Sequence, residues 1–245
     1  MGIAIQNMFD GIARRYDFLN HFLSAGRDRV WRKKAAQLLR GEGSPRVLDL
    51  CGGTGDFWKA WHDSRSGIGE IDGIAANAGR AIGIVADFSL GMLQEARRKF
   101  PAGSGLGAGV PALVRMDALS PCFKPASFDT VLCAYGMRNL DSLGSGIDEI
   151  SRLLKPGGTF ITLEFFRPTT RFTRFFYHGL APLSIPMLGW FFSSRKQAYT
   201  YLVESIRGFK SVGEYRDCFR TRGFRDVNII PCDFGISHIV TAVKG

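Results

Sequence analysis

Apolar residues follow two different spacings along this chain. Near the N-terminus they recur every three or four positions, which predicts an amphipathic helix. These positions are Met8, Phe9, Ile12, Tyr16 and Leu19. A second helix is predicted around 27–39, where apolar residues alternate with a strongly basic face. That face is interpreted either as a solvated surface or as a lid that also touches an anionic membrane.

Beyond residue 45 the apolar positions form short continuous runs, which are typical of buried strands. Five such strands are predicted, at Arg46–Leu50, Ala81–Ala86, Ala112–Met116, Phe128–Ala134 and Thr159–Phe165. Helices are predicted from Thr54 to about His62, after Asp87 as far as Lys99, and from Leu143 to Leu154. Residues 64–80 and 101–109 are interpreted as connections, and Lys155–Gly158 as a helix stop. The alternation predicts an α/β fold with a parallel sheet.

The last third of the chain changes character. In residues 167–193 many aromatic residues lie between arginines, and Pro182 and Pro186 interrupt any single helix. This segment is interpreted either as a cover packed over the sheet or as an apolar lid for a long apolar substrate, with arginines that face lipid headgroups. Helices at Gln197–Arg207 and Ser211–Arg220 and strands at Asp226–Ile230 and Ser237–Val243 are predicted to follow.

One domain over 1–245 is the simplest organisation. It comprises N-terminal helices at 1–40, a ligand-binding core at 41–165, an inserted helical lid at 166–207, and a terminal helix and hairpin at 208–245. The net charge of +10 indicates an anionic partner, either nucleic acid, a membrane surface or an acidic substrate. We expect no secretory signal and no membrane span.

The five cysteines form no C-x-x-C pair, so they imply neither a zinc site nor a disulfide framework. Cys51 and Cys133 fall at predicted strand ends, and we expect them to be small core residues. A reducing compartment is the natural interpretation.

The most informative stretch is the glycine-rich turn that follows the first strand. Gly52, Gly53 and Gly55 have no Cβ and can adopt positive φ, so a ligand could lie directly against their backbone. The spacing is neither the dinucleotide pattern nor the phosphate loop, and no Lys follows it to hold a triphosphate. The turn therefore favours a nucleoside-type cofactor, although such turns occur in many α/β proteins.

An acidic residue lies at or near the end of each of the first three strands. Asp87 could accept from both hydroxyls of a ribose, or could be a helix N-cap. Asp117 could accept from an adenine amine, or could be a turn residue. Asp49 precedes the glycine-rich turn. Because the carboxyl ends of parallel strands meet at one edge of a sheet, we expect these carboxylates to lie around one ligand.

Several stretches together resemble the UbiE-type family, the quinone C-methyltransferases of menaquinone and ubiquinone synthesis. They are 8–20, 47–57, 135–139, 154–158, 163–165 and 199–207. The Gly-Met-Arg-Asn segment at 136–139 and the Tyr-Leu-Val-Glu-Ser-Ile-Arg segment at 201–207 distinguish this family from other methyltransferases. The resemblance implies a Rossmann-like class I methyltransferase fold, with a mostly parallel seven-stranded sheet and a C-terminal hairpin.

The resemblance also implies S-adenosylmethionine (SAM) as cofactor, with no metal. The expected cofactor-binding residues are Asp49, Gly52, Gly53, Thr54, Gly55, Asp87, Phe88, Asp117, Ala118 and Ala134. Asp49 would lie near the cationic methionine end. Ala134 stands where the family has a serine contact. Residues 64–80 look like an insertion relative to the family.

The implied reaction transfers a methyl group to a ring carbon of a prenylated quinol, which becomes nucleophilic when a hydroxyl is deprotonated. Arg138 is the leading candidate for stabilising the phenolate, and Asn139 could orient the ring. Tyr16 completes the predicted catalytic set. Each weaker candidate for substrate contact or proton relay also has a structural alternative. The alternative is helix packing for Tyr16 and capping or pairing for Asp17. It is surface exposure for His21 and pairing with an arginine for Glu164.

The expected partners are a prenylated quinol and an anionic membrane surface, with no nucleic acid. We expect a bacterial cytoplasmic protein at the inner face of the membrane. Methylation of another acceptor such as nucleic acid and a non-catalytic membrane-surface role are the alternatives. The sequence leaves open whether the chain forms a homo-oligomer, and which quinol ring and prenyl length it accepts.

Overall fold

The computed structural model describes residues 3–38, 45–66, 82–100, 110–175, 177 and 196–245. Eight α-helices lie in this part of the chain. They are α1 Ile3–Leu23, α2 Arg27–Ala36, α3 Asp56–Ser66, α4 Leu90–Lys99, α5 Leu143–Leu153, α6 Arg171–Phe175, α7 Lys196–Gly208 and α8 Val212–Arg220. None of them combines the length and apolar character needed to cross a membrane.

Seven strands form one sheet. They are β1 Arg46–Leu50, β2 Ile82–Asp87, β3 Ala112–Arg115, β4 Phe128–Ala134, β5 Leu154–Glu164, β6 Phe224–Cys232 and β7 Ser237–Lys244. Their order is β3-β2-β1-β4-β5-β7-β6. The first five strands are parallel, and β7 pairs antiparallel with both β5 and β6. The predicted α/β class, the seven strands and the closing hairpin are confirmed.

The two faces of the sheet bury separate clusters of apolar side chains. Leu48 and Leu50 of β1 pack in the cluster that includes residues of α5 and α8. Val47 packs in the other cluster, with Trp31 of α2 and Trp58 of α3. Because strand side chains alternate between faces, Asp49 lies on the α2 and α3 side.

Several predicted boundaries are wrong. Helix α3 begins at Asp56 rather than Thr54, and it continues to Ser66, so residues 64–66 are helical rather than part of a connection. Strand β5 begins directly after α5, at Leu154 rather than Thr159, because Leu154 pairs with Phe128 before an irregularity in the register. The helix stop is therefore correct, but its residues belong to a strand.

Strand β6 is longer than predicted at both ends, whereas β7 begins at Ser237 as predicted and continues one residue further, to Lys244. The predicted connections at 67–80 and 101–109, and most of the aromatic segment at 178–193, lie outside the described residues. The division into one domain with a lid stays a prediction.

Helix α1 packs against α4 at the edge of the sheet where the parallel strands end. Asp10 of α1 accepts hydrogen bonds from the Ser89 hydroxyl and, at 2.9 Å, from the Gly91 amide. Ser89 is the N-cap of α4, so the contact joins α1 to the first turn of that helix. This packing places one face of α1 over the glycine-rich turn.

Candidate active site

The turn after β1 has a backbone that requires glycine. Gly53 and Gly55 have φ of 56° and 78°, which side-chain-bearing residues rarely adopt. A Cβ on Gly52 would lie 2.8 Å from Val85 Cγ1 and 2.9 Å from Asp49 Cγ. The turn therefore lies close against β2, and its backbone is open to a ligand on the other side.

Asp49 lies beneath this turn with its charge only partly compensated. Its side chain is fully buried, and Oδ2 accepts a hydrogen bond from the Trp58 amide at 3.1 Å. Oδ1 has no hydrogen-bond partner among the described residues. Burial raises the pKa of Asp49 to about 7, although the Trp58 amide and the charge of Arg32 act in the opposite direction. A ligand cation would satisfy the free oxygen.

Asp87 ends β2 with its two oxygens directed to different parts of the site. Oδ2 accepts from the Gly53 amide at 2.9 Å, and Oδ1 accepts from the Ser89 amide at 2.8 Å. Burial raises the pKa of Asp87 to about 6. Its alternative interpretation as an N-cap is wrong, because Ser89 caps α4. A carboxylate oxygen has two lone pairs, so each can still accept from a hydroxyl.

Two small cavities meet at this edge, of about 30 Å³ and about 10 Å³. Cys51 and Asp87 line both. The predicted residues lining the first are Tyr16, Gly53, Asp87, Ala134 and Asn139. Those lining the second are Asp87, Phe88, Asp117 and Ala118. Cys133 is buried as expected, whereas Cys51 is a half-buried wall of the site.

Asp117 has the predicted turn role, and its predicted contact with an adenine amine stays a prediction. It lines the second cavity, and its Oδ1 accepts from the Leu119 amide at 2.9 Å, as a turn residue does. The apolar residues Leu50, Met116 and Leu140 line the same cavity. A flat aromatic ring would find apolar contacts there, with a carboxylate at its edge.

Thr54 lies outside both cavities. Its hydroxyl donates to Asp17 Oδ1 at 2.6 Å and accepts from Lys99 Nζ at 2.9 Å. Lys99 also pairs with Asp17 Oδ2 at 2.6 Å and with Asp56. This cluster ties α1, the turn, α3 and α4 together, so the side chain of Thr54 holds the turn in place. Gly55 abuts the ring of Phe100.

Arg138 is buried in an ion pair. Its Nη1 donates to Glu164 Oε1 at 2.6 Å and to the Tyr135 carbonyl at 2.8 Å, and its Nε donates to Ser205 Oγ at 3.3 Å. Burial opposes the charge of Arg138, but Glu164 together with Tyr16 and Tyr201 outweighs burial, so the pKa of the guanidinium is raised. Glu164 therefore has the arginine partner that was its structural alternative, and the charge of Arg138 is held in one place.

Asn139 is fixed by two other elements. Its Nδ2 donates to the Tyr135 carbonyl at 3.0 Å, and its Oδ1 accepts from the Tyr201 hydroxyl of α7 at 2.8 Å. Phe9 of α1 meets the rings of Tyr201 and Tyr16 edge to face, with centroids 6.4 Å and 6.0 Å apart. Two helices distant in sequence thus close over the end of β4.

Tyr16 and His21 have different surroundings. Burial raises the pKa of Tyr16, so its phenol is neutral and can donate a hydrogen bond. His21 Nδ1 pairs with Asp28 at 2.8 Å, and the ring lies in the wall of a larger open cavity of about 970 Å³. Among the described residues no group of three His, Cys, Asp or Glu side chains could hold a metal ion.

Sequence reasoning missed four residues that shape this site, namely Asp10, Ser89, Arg32 and Tyr201. Ser89 carried a signal, because a serine directly before a helical run is a common N-cap. Asp10 and Tyr201 lie in stretches that resemble the family, but their roles depend on tertiary contacts that no local pattern contains.

Comparison with known proteins gives a consistent result. The model of the ubiE/COQ5 methyltransferase family matches residues 2–244. The ubiquinone/menaquinone biosynthesis C-methyltransferase UbiE of Geobacter sulfurreducens is 36% identical over 250 residues, which cover 100% of this chain and 90% of that protein. The demethylmenaquinone methyltransferase of Mycolicibacterium vanbaalenii is 32% identical, over 98% of this chain and 94% of that protein.

Solved structures show the same fold at lower identity. A methyltransferase in complex with the Haloferax volcanii Trm112 methyltransferase activator has a TM-score of 0.62 and 20% identity, over 96% of both chains. A SAM-dependent methyltransferase from Thermotoga maritima has a TM-score of 0.61 and 18% identity, over 98% of this chain and 99% of that one.

Proposed function

Because the chain belongs to the ubiE/COQ5 methyltransferase family, we propose that it transfers a methyl group from SAM to a ring carbon of a prenylated quinol. The expected family and the expected methyltransferase activity are confirmed. The favoured conversion is demethylmenaquinol to menaquinol, the reaction for which several relatives are named, with the ubiquinone precursor as a second acceptor.

The unpartnered carboxylate oxygen of Asp49 is the observation that carries the proposal. A buried anion with a free oxygen is costly unless a cation binds it, and the α-ammonium of SAM is such a cation. The side chain lies below the glycine-rich turn. Asp87 ends the adjacent strand β2, and Asp117 follows β3, the next strand along the sheet. The residues present therefore fit the cofactor, with Asp87 toward the ribose and Asp117 toward the adenine.

The acceptor side is formed by residues that follow β4. SAM supplies an electrophilic methyl group, so the protein must orient a ring carbon toward it and stabilise a phenolate. Arg138 provides a positive charge that Glu164 holds in position. The neutral phenol of Tyr16 can donate to the developing oxyanion, and Asn139 lines the first cavity where the ring would be oriented. These roles remain proposals.

The direct test is methyl transfer from labelled SAM to a chemically reduced demethylmenaquinol and to a demethylated ubiquinol precursor. Each is offered with and without vesicles of anionic lipid. We expect label in the naphthoquinol, and label in both would mean that the enzyme serves both pathways. Intact SAM binding with no label in either quinol would contradict the assigned acceptor, and RNA would then be tested as the alternative.

We also propose that the protein acts at the inner face of the bacterial cytoplasmic membrane. Three exposed aromatic side chains support this, Phe172 and Phe175 of α6 and Phe234 of the β6–β7 turn. The rings of Phe172 and Phe234 are 5.6 Å apart, and the exposed arginines Arg171 and Arg174 flank them. Aromatic tips beside cations suit the interface of an anionic bilayer.

The turn that carries Phe234 is held by side chains of α2. Asp233 and Phe234 both have positive φ, at 41° and 58°. Asp233 Oδ2 accepts from Arg27 Nε at 2.6 Å and from Trp31 Nε1 at 2.9 Å. A strained turn that is braced from α2 yet leaves Phe234 86% exposed is consistent with a binding role.

Phe234→Ser should lower the partition coefficient of the protein onto anionic vesicles, measured by flotation, by about tenfold to a hundredfold, because inserting one phenylalanine contributes roughly 1.5–3 kcal/mol. Ile82→Ser is the matched control, since Ile82 is 54% exposed at the start of β2, at the opposite edge of the sheet. Equal loss of flotation in both variants, or in neither, would contradict the assigned surface.

A further inference from the structure

Arg32 is a buried cation with a free donor at the same end of the sheet. It is 4% exposed, and its Nε has no hydrogen-bond partner among the described residues. Its guanidinium carbon lies 5.4 Å from the centroid of the Tyr135 ring, at the end of β4. An unpartnered buried donor is unfavourable, so an acceptor from outside the chain would be favourable there.

The counter-charge of Arg32 is shared with other groups. Its Nη1 pairs with Asp28, but Asp28 also accepts from His21 Nδ1 at 2.9 Å and from Ser24 Oγ at 2.8 Å. The Asp28 carboxylate therefore satisfies one end of the guanidinium and leaves Nε available. This leaves Arg32 able to bind a second anion.

Arg32 and Asp49 lie on the same face of the sheet. Helix α2 packs against α3, and Trp31 lies in the same apolar cluster as Val47, which shares the face of Asp49. The charge of Arg32 also acts on the Asp49 carboxyl and lowers its pKa against the effect of burial. Each has a free polar atom, one a donor and one an acceptor.

We propose that Arg32 Nε binds the α-carboxylate of the methionine part of SAM while Asp49 binds its α-ammonium. Two unpartnered atoms of opposite charge on one face of the sheet match a zwitterion, and an α-amino acid is the zwitterion that the cofactor carries. The inference rests on the proposed cofactor and assigns a ligand group to a residue of the N-terminal helices. Helix α2 thereby becomes part of the cofactor site as well as a cover.

The test uses two ligands that differ only in the carboxylate, SAM and decarboxylated SAM, with binding measured by calorimetry. Loss of Arg32 would leave Asp28 buried and uncompensated, so the comparison is between Asp28→Asn and the double variant Asp28→Asn/Arg32→Gln. We expect the double variant to bind SAM about tenfold to a hundredfold more weakly than the single variant, as for one lost charged hydrogen bond. Both variants should bind decarboxylated SAM equally.

Two other outcomes of this comparison would overturn the assignment of Arg32. Equal weakening for both ligands would mean that Arg32 only supports the fold, and unchanged SAM affinity would also overturn the assignment. Asp49→Asn, which removes the partner of the ammonium, should weaken both ligands alike. A native protein that binds neither SAM nor decarboxylated SAM would refute the proposed cofactor itself, and with it this inference.

Discussion

Replacing Asp49 with asparagine should stabilise the cofactor-free protein and weaken cofactor binding. The reason is that Asp49 is fully buried with one free oxygen, and burial raises its pKa from an ordinary 3.8 to about 7. An acid whose pKa is raised on folding holds its proton more tightly in the folded state. The contribution of Asp49 to the free energy of unfolding therefore falls as pH rises from about 4 to about 7, then levels off.

The size of the effect follows from that pKa. The difference between the two values corresponds to about 4 kcal/mol once Asp49 is ionised in the folded state. Asparagine removes this term, but its amide leaves an unpartnered donor that costs about 1–3 kcal/mol. We therefore expect Asp49→Asn to be more stable than the native protein by about 1–3 kcal/mol at pH 8, with no gain at pH 5.

Urea unfolding without cofactor, at pH 5, 6, 7 and 8, measures this difference. Asp63→Asn is the control, because Asp63 is exposed on α3 in a surface pair with Lys59 that contributes little. Calorimetry at pH 8 should show SAM binding to Asp49→Asn weakened by about tenfold to a hundredfold. A stability difference that is the same at pH 5 and pH 8 would refute the buried-charge argument.

Two further changes test the acceptor side and the turn. Arg138→Lys should lower kcat by about a hundredfold with SAM affinity unchanged, because lysine keeps the charge but loses the forked guanidinium that binds both Glu164 and Ser205. Steady-state kinetics with the quinol measure this. An unchanged kcat would remove Arg138 from the mechanism. Gly52→Ala should cost about 1–3 kcal/mol in urea unfolding, because its Cβ would lie 2.8 Å from a neighbouring side chain. A Cβ on Gly213 in α8 would have nothing within 4 Å, so Gly213→Ala should be neutral or stabilising. Equal changes in the free energy of unfolding at both glycines would contradict the packing argument.

The cofactor side of the site followed from local sequence because its chemistry depends on strand ends. A parallel sheet brings the carboxyl ends of its strands to one edge, so the order of strands already placed Asp49, Asp87 and Asp117 together. The structure agrees, with Asp87 and Asp117 lining the second cavity and Asp49 below the turn. Thr54 differs, because the role of its hydroxyl depends on Asp17 and Lys99 from other helices.

Boundaries and pairings depended on contacts that no local pattern contains. The helix stop at Lys155–Gly158 was correctly recognised, but only the pairing of Leu154 with Phe128 makes those residues part of β5. Glu164 was named with an arginine as its structural alternative, and only the folded chain shows that the arginine is Arg138.

Arg32 shows most clearly what the sequence determined and what the tertiary structure decided. By itself the sequence determined the α/β class, the strand ends that hold the acids and the family, because these depend on local periodicity and on motifs. Arg32 lies in a helix whose basic residues were interpreted either as a solvated surface or as a lid touching a membrane. Packing of α2 against α3 instead buries this guanidinium over Tyr135. Burial is a property of what packs against a residue, so only the tertiary structure could separate this arginine from its exposed neighbours.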